Sequence, residues 1–143
     1  MTVAAILKEK GRDVIAERGE TELAEVCKVL GKNKIGAILI TDPDGHIEGI
    51  VSERDIVRAV GEDGSAALTR PVSSVMTKSV VTCSEDDTVS QVMAKMTAGR
   101  FRHVPVVKDG KVAGVISIGD VVKHKIAQVE QEAEQMRSYI TMA

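Results

Sequence analysis

Two stretches of the sequence place a serine three residues before an aspartate, each after an apolar run. Residues 49–55 read GIVSERD and residues 114–120 read GVISIGD. Ser52 and Ser117 have the position of a helix N-cap, and Asp55 and Asp120 then lie in the first turn, beside backbone N–H groups that have no partner within the helix. A hydroxyl, a carboxylate and these N–H groups meet at one point. A single occurrence predicts only a helix start, because this is also a common capping pattern.

The whole unit around this pattern occurs twice. Ser52 and Ser117 are 65 residues apart, and so are Asp55 and Asp120. Each copy is predicted to form a helix, a strand, a helix, two strands and a helix over about 60 residues. The predicted strands are Val14-Ile15, 37–40 and 47–51 in the first copy, and Val80-Val81, 101–107 and 111–116 in the second.

The predicted elements define a fold class and a domain division. Gly31 is expected to end the helix that follows Glu22, and residues 61–70 are expected to form a linker. A three-stranded unit cannot bury both sheet faces, so the two copies are expected to pack together. We predict an α/β fold of the α+β type: two pseudo-symmetric β-α-β-β-α repeats packed sheet to sheet, plus a C-terminal helix. The domains would be residues 1–66 and 67–126, with a helical tail at 127–143.

Composition excludes several classes of function. A net charge of -2 and a pI near 5.9 argue against binding to nucleic acid. Cys27 and Cys83 stand apart from each other and from histidine, so we expect no metal site. The sequence has neither an apolar leader nor a run of 18 apolar residues, so we expect no membrane segment and a cytoplasmic location.

The repeated unit resembles tandem CBS domains, also called a Bateman module. The matching features are the two Gly-x-x-Ser-x-x-Asp stretches, the Val-Met-Thr segment at 75–77 and the Val-Pro-Val-Val segment at 104–107. The resemblance covers nearly all of residues 3–126. It implies a regulatory module that binds adenosine-containing ligands, namely AMP, ADP, ATP, NAD(H) or S-adenosylmethionine, and requires no cofactor.

The resemblance also implies which residues contact the ligand. Asp55 and Asp120 would accept the ribose hydroxyls, with Ser52 and Ser117 beside them, because a carboxylate can accept two hydrogen bonds from a cis-diol. The second-copy strand would face the Asp55 cleft and bring Arg102 and His103 to the phosphate, with Arg54 near it. The alternative is that Arg102 and His103 are simply solvated at a strand end.

The adenine walls are assigned by the same resemblance. Each of these residues is equally explicable as part of a buried strand. The Asp120 cleft would have Val14, Ile15 and Ala16 as its wall, with Gly36, Ala37 and Lys34 near it. The Asp55 cleft would have Val80, Val81 and Thr82.

The C-terminal segment has a signal of its own. Apolar residues recur at steps of four and three, which is typical of a helix that packs against another helix. They are Val122, Ile126, Val129, Ala133, Met136 and Ile140. This helix would either fold back on its own module or form a dimer contact. Because CBS pairs commonly form homodimers, the resemblance favours a homodimer.

We therefore expect a nucleotide or energy sensor that performs no catalysis and passes its ligand state to an effector protein. The alternative is a structural dimerisation module with degenerate clefts. An NAD-dependent hydride transfer lacks an acid-base residue other than His103.

Overall fold

The two repeats form two small antiparallel hairpins, each covered by helices. The structure is a computed structural model and describes residues 1–142. Its elements in the first repeat are α1 (Val3–Lys10), β1 (Ala16–Glu17), α2 (Leu23–Asn33), β2 (Ala37–Thr41), β3 (Ile47–Ser52) and α3 (Glu53–Asp63). Two 3₁₀ helices follow, Gly64–Thr69 and Val72–Ser74. The second repeat consists of α4 (Val89–Gly99), β4 (His103–Lys108), β5 (Lys111–Ser117) and α5 (Ile118–Met142).

The predicted fold class is confirmed. Strand β2 pairs with β1 in parallel and with β3 in antiparallel orientation, while β4 and β5 form a two-stranded antiparallel sheet. The two hairpins meet near their turns, where the Val112 N–H donates to the Gly45 carbonyl at 3.1 Å. Among the helices within residues 1–142, none is long and apolar enough to cross a membrane.

Each hydrophobic core contains the opening segment of the other repeat. Val3, Ile6 and Leu7 of α1 are buried in the core of the second repeat, together with Val92 of α4. In the reverse direction, Val72 is buried in the core of the first repeat. Burial of each of these side chains contributes roughly 1.5–3 kcal/mol, so the exchange ties the two repeats into one folding unit.

The first strand of the first repeat lies two residues later than predicted, and the first strand predicted for the second repeat does not form. In the first repeat, β1 is Ala16–Glu17 rather than Val14-Ile15. In the second, residues 80–81 form no strand, and the only residue of this segment in a bridge is Cys83, which pairs with Val106. A second bridge would need the N–H of residue 105, and Pro105 has none. The sheet of the second repeat is therefore one strand smaller.

The prediction that Gly31 ends α2 was wrong. The helix continues to Asn33, and Lys34 adopts the left-handed conformation with φ 54°. The Ile35 N–H then donates to the Leu30 carbonyl at 3.1 Å, and Ile35 packs against the core. This is a Schellman arrangement, in which the apolar residue after the cap determines where the helix stops.

The linker predicted at residues 61–70 is also structured. Helix α3 runs through Gly61 to Asp63, and the 3₁₀ helix follows without a break. Ala67 is fully buried in the core of the first repeat. Close packing accounts for the small side chain of Ala67 only, since a Cβ at Gly61 or Gly64 would have no other atom within 4 Å.

Gly49 should be essential for stability because it has no room for a side chain. A Cβ at Gly49 would lie 2.6 Å from Met76 Sδ and 2.9 Å from the Thr77 carbonyl oxygen. We expect Gly49→Ala to lower the free energy of unfolding by about 1–3 kcal/mol, measured by urea denaturation. Gly61→Ala in α3 is the control, since a Cβ at Gly61 would have no other atom within 4 Å, and it should be neutral or stabilising by up to about 1 kcal/mol. Equal effects of the two substitutions would contradict this.

Candidate functional site

Ser52 and Asp55 form a capping box at the start of α3. The N–H and Oγ of Ser52 donate to Asp55 Oδ2 at 3.0 and 3.1 Å, and the Asp55 N–H donates to Ser52 Oγ at 3.3 Å. Asp55 is one of the few buried polar residues, with 9% of its surface exposed. The N-terminal geometry of α3 therefore holds one carboxylate oxygen in a fixed position.

A third residue, Thr77, completes this arrangement from the other repeat. Its Oγ1 lies 3.3 Å from Asp55 Oδ1 and 3.4 Å from Oδ2, so it can donate to either oxygen. Thr77 is held in place by two backbone hydrogen bonds to Ile50 of β3, at 2.8 and 3.0 Å. Oδ2 accepts both Ser52 bonds, which leaves Oδ1 as the less occupied oxygen.

A cleft of about 580 Å³ opens beside Asp55. Its apolar wall includes Ile50, Val80, Val81 and Phe101. Four arginines also line the cleft, against only two carboxylates, those of Glu53 and Asp55, which gives a formal excess of two positive charges. The arginines are Arg54, Arg58, Arg100 and Arg102.

Three of the four arginines form no ion pair within residues 1–142. Arg58 Nη1 lies 3.9 Å from Asp55 Oδ1, one helical turn further along α3. Within residues 1–142, the guanidinium groups of Arg54, Arg100 and Arg102 have no carboxylate within 4.0 Å. A partly apolar cleft with cations that have no carboxylate partner suits an anionic ligand that also has an apolar part.

The second Ser-x-x-Asp stretch has the same local geometry but a different partner. The N–H and Oγ of Ser117 donate to Asp120 Oδ2 at 2.9 and 3.0 Å. Lys10 Nζ of α1 lies 2.7 Å from the same oxygen and also donates to the Val115 carbonyl at 2.9 Å. An ammonium thus contacts Asp120, whereas Asp55 has the hydroxyl of Thr77.

This ammonium changes the acidity of Asp120. Burial raises the pKa of Asp120, but hydrogen bonds from Lys10 and from the Ser117 backbone N–H outweigh it, and the pKa lies below its ordinary value of 3.8. The Asp120 carboxylate is therefore ionised and paired at neutral pH.

His103 lines the Asp55 cleft but also lies close to Asp120. Burial lowers the pKa of His103, the charge of Lys10 lowers it further, the Asp120 carboxylate acts in the opposite direction, and Arg102 adds to the lowering. His103 of β4 pairs with Ser117 of β5 in the antiparallel sheet. It is consequently neutral at pH 7 and stands between the two Ser-x-x-Asp sites.

Most of the residues that we predicted to contact a ligand at Asp55 line one cleft in the structure. These are Ser52, Arg54, Asp55, Val80, Val81, Arg102 and His103. Gly36 and Ala37, which we expected near Asp120, line this same cleft. The Gly36 carbonyl accepts a hydrogen bond from the N–H of Glu53 at 3.0 Å, so β2 begins beside the start of α3.

Other predicted residues lie elsewhere. Lys34 and Gly36 border a second depression, of about 670 Å³, beside α2. The Thr82 carbonyl accepts a hydrogen bond from Lys95 Nζ at 2.9 Å. Val14 and Ala16 are half-buried and Ile15 is exposed, in and just before β1. Their assignment as adenine contacts stays a prediction.

Eight lining residues were not among the predicted contacts: Ile50, Glu53, Arg58, Thr77, Ser79, Gly99, Arg100 and Phe101. Thr77 was present only as part of the Val-Met-Thr segment, and Arg58 follows Asp55 by one helical turn, which is a spacing that the sequence does show. Arg100 and Phe101 come immediately before the predicted contacts Arg102 and His103 in the sequence.

Comparison with known proteins gives the family. The sequence profile of the CBS domain matches residues 7–62 and again 72–127. The chain belongs to the CBS domain family. It therefore contains two CBS domains in tandem.

Three solved CBS-domain structures are similar to this chain. The CBS-domain containing protein ATU1752 from Agrobacterium tumefaciens is 48% identical, with a TM-score of 0.84 over 87% of this chain and 99% of that one. The CBS domain protein PAE2072 from Pyrobaculum aerophilum, complexed with AMP, is 31% identical, with a TM-score of 0.75 over 84% and 89%. The CBS domain pair of protein MJ0100, in complex with 5-methylthioadenosine and S-adenosyl-L-methionine, is 27% identical, with a TM-score of 0.79 over 90% and 98%.

The curated relatives differ in length. The chain spans 71% of one plant CBS-domain protein but only about a fifth of several others, one of which is named as a sulfurtransferase. CBS domains thus occur in these proteins beside other regions.

Replacing Lys10 should change the titration of Asp120. We expect Lys10→Met to raise the pKa of Asp120, measured by NMR of its side-chain carboxyl carbon, because the opposing effect of burial remains. A carboxyl group with a depressed pKa stabilises the fold above pH 3.8 and loses that contribution as the pH falls through its folded-state value. The variant should therefore lose stability at about pH 6 but not at about pH 2.

Lys8→Met is the matched control, since Lys8 is exposed on the same helix. An unchanged Asp120 titration in Lys10→Met would show that the ion pair does not form in solution.

Proposed function

We propose that this CBS pair is a regulatory module that binds an adenine nucleotide, AMP, ADP or ATP, in the Asp55 cleft and performs no catalysis. NAD(H) is a further candidate ligand, because it contains the same adenosine half. The observation that carries the proposal is the buried Asp55 carboxylate at a cleft with a formal excess of two positive charges.

The ribose would bind at Asp55. A cis-diol needs two acceptor positions, and Oδ1 is the less occupied oxygen of a carboxylate that Ser52 and Thr77 already orient. Because these contacts fix the side chain before the ligand arrives, little conformational entropy would be lost on binding.

The phosphate would bind to the arginines, with Arg102 and Arg54 as the predicted contacts. A guanidinium binds phosphate through two parallel hydrogen bonds, and such charge-assisted bonds are about twice as strong as neutral ones. The adenine would lie against Val80 and Val81, which line the same cleft. The complexes of PAE2072 with AMP and of the MJ0100 pair with adenosine compounds support a ligand of this class.

The two sites would not be equivalent. A ribose at Asp120 would have to displace the Lys10 ammonium from a contact of 2.7 Å. We therefore infer that Asp55 is the stronger site. The alternative function is a structural dimerisation module with degenerate clefts. The contact with Lys10 agrees with one part of it, because it makes the Asp120 cleft degenerate.

The setting of the module is also part of the proposal. Two free cysteines, Cys27 and Cys83, fit a reducing compartment such as the cytoplasm. We propose a homodimer that passes its ligand state to an effector protein.

Binding should depend on Asp55. Thermal unfolding is measured with AMP, ADP, ATP, NAD⁺, NADH and S-adenosylmethionine in turn. Ligand at about 100 times its dissociation constant adds about 2.7 kcal/mol of stability, which for a chain of this size raises the midpoint by several degrees. Asp55→Asn should abolish most of this shift, because the amide replaces an acceptor by a donor, whereas Asp120→Asn should retain it. A flat panel at millimolar ligand would favour the structural module.

Arg102 should contribute to phosphate affinity in particular. Loss of one charge-assisted bond costs about 1.5–3 kcal/mol, so Arg102→Met should weaken AMP binding roughly 10- to 100-fold in calorimetric titration while adenosine binding changes little. Lys108→Met, at the exposed far end of β4, is the control for charge alone. An equal loss for AMP and adenosine would place Arg102 away from the phosphate.

A further inference from the structure

Helix α5 carries an apolar stripe that is left open in the part of the chain that the structure describes. The helix contacts its own module near its start, where Val121 is fully buried and Lys125 Nζ lies 3.3 Å from Ser90 Oγ of α4. The apolar stripe begins at Val122, the residue after Val121, and continues to Ile140. The exposed fraction of its side chains rises from 46% at Val122 to 66% at Ile140. Folding back on the module, one of the two alternatives that the sequence left open, is therefore not what the structure shows.

The spacing of the stripe indicates a coiled coil. Its residues alternate in steps of four and three, which is the spacing of the a and d positions in a heptad repeat. The a positions are Ile126, Ala133 and Ile140, and the d positions are Val122, Val129 and Met136.

The charges beside the stripe indicate which partner fits. In a parallel, in-register pair, each g position faces the e position five residues later on the other helix. Lys125 of one copy then faces Glu130 of the other, and Glu132 faces Arg137. Twofold symmetry doubles these contacts, so all four flanking pairs are attractive.

An antiparallel pair would be opposed by the same charges. With Ile126 of one helix opposite Met136 of the other, Glu130 meets Glu130 and Glu132 meets Glu132. Lys123 then meets Arg137, which is again a pair of like charges. The flanks contain three glutamates between residues 130 and 134, so an anionic membrane surface is a poor partner as well.

We propose that residues 122–140 of α5 pair in parallel and in register with the same residues of a second copy of this chain, as a two-stranded coiled coil. The proposal does not depend on the ligand, and it places both modules at the same end of the paired helices. The paired stretch of 19 residues is shorter than three heptads, so the dimer should dissociate on dilution.

Cysteine cross-linking tests the orientation. Position d of one helix lies beside position d of the other only in the parallel pair, so Met136→Cys should give a reducible covalent dimer under mild oxidation. Gln135→Cys is the control, because it retains Cys27 and Cys83 but faces away from the stripe. We expect at least tenfold more cross-linking at 136. Equal cross-linking would overturn the proposal, and so would preferential joining of Met136→Cys chains to Ile126→Cys chains.

Charge reversal tests the pairing independently. Glu132→Lys and Arg137→Glu each create like-charged pairs and should raise the dimer dissociation constant at least tenfold in sedimentation equilibrium, while the double variant should restore it. Gln131→Lys, on the opposite side of the helix, should have little effect. Single variants that dimerise like the parent protein, or a double variant that fails to recover, would overturn the proposal.

Discussion

The exchange of opening segments between the two repeats is the constraint on which the rest of the structure depends. Matching hydrogen bonds fix it on both sides: the Val3 N–H donates to the Asp87 carbonyl at 2.9 Å, and the Val72 N–H donates to the Thr21 carbonyl at 2.8 Å. Since neither core is complete without the other repeat, the relative placement of the repeats is set by core packing. The positions of the clefts are therefore determined by the same core packing.

The same exchange gives the two sites their different chemistry. The opening segment of the second repeat delivers Thr77 to Asp55, and that of the first repeat delivers Lys10 to Asp120. A hydroxyl leaves a carboxylate available, whereas an ammonium neutralises it. Two sites with nearly identical local sequence thus differ because of residues that lie far away in the chain.

How far the sequence predicts this protein varies from level to level. Ser52 and Asp55 were placed correctly because capping is local, and the repeat predicted the overall architecture. The first strand of the first repeat was misplaced because its position depends on pairing with a distant strand, and the first strand of the second repeat was predicted wrongly because Pro105 prevents its pairing. The contact between Lys10 and Asp120 spans 110 residues, and no local pattern indicates it.

Helix α5 begins at the second Ser-x-x-Asp site and extends away from it. Asp120 lies in the first turn of α5, which continues without a break for 25 residues to Met142. At about 1.5 Å per residue its length is about 37 Å, so a tilt of about 5° at the first turn displaces the far end by about 3 Å. Helix α5 can therefore act as a lever, which converts a small rearrangement around Asp120 into a movement large enough for a neighbouring molecule to detect.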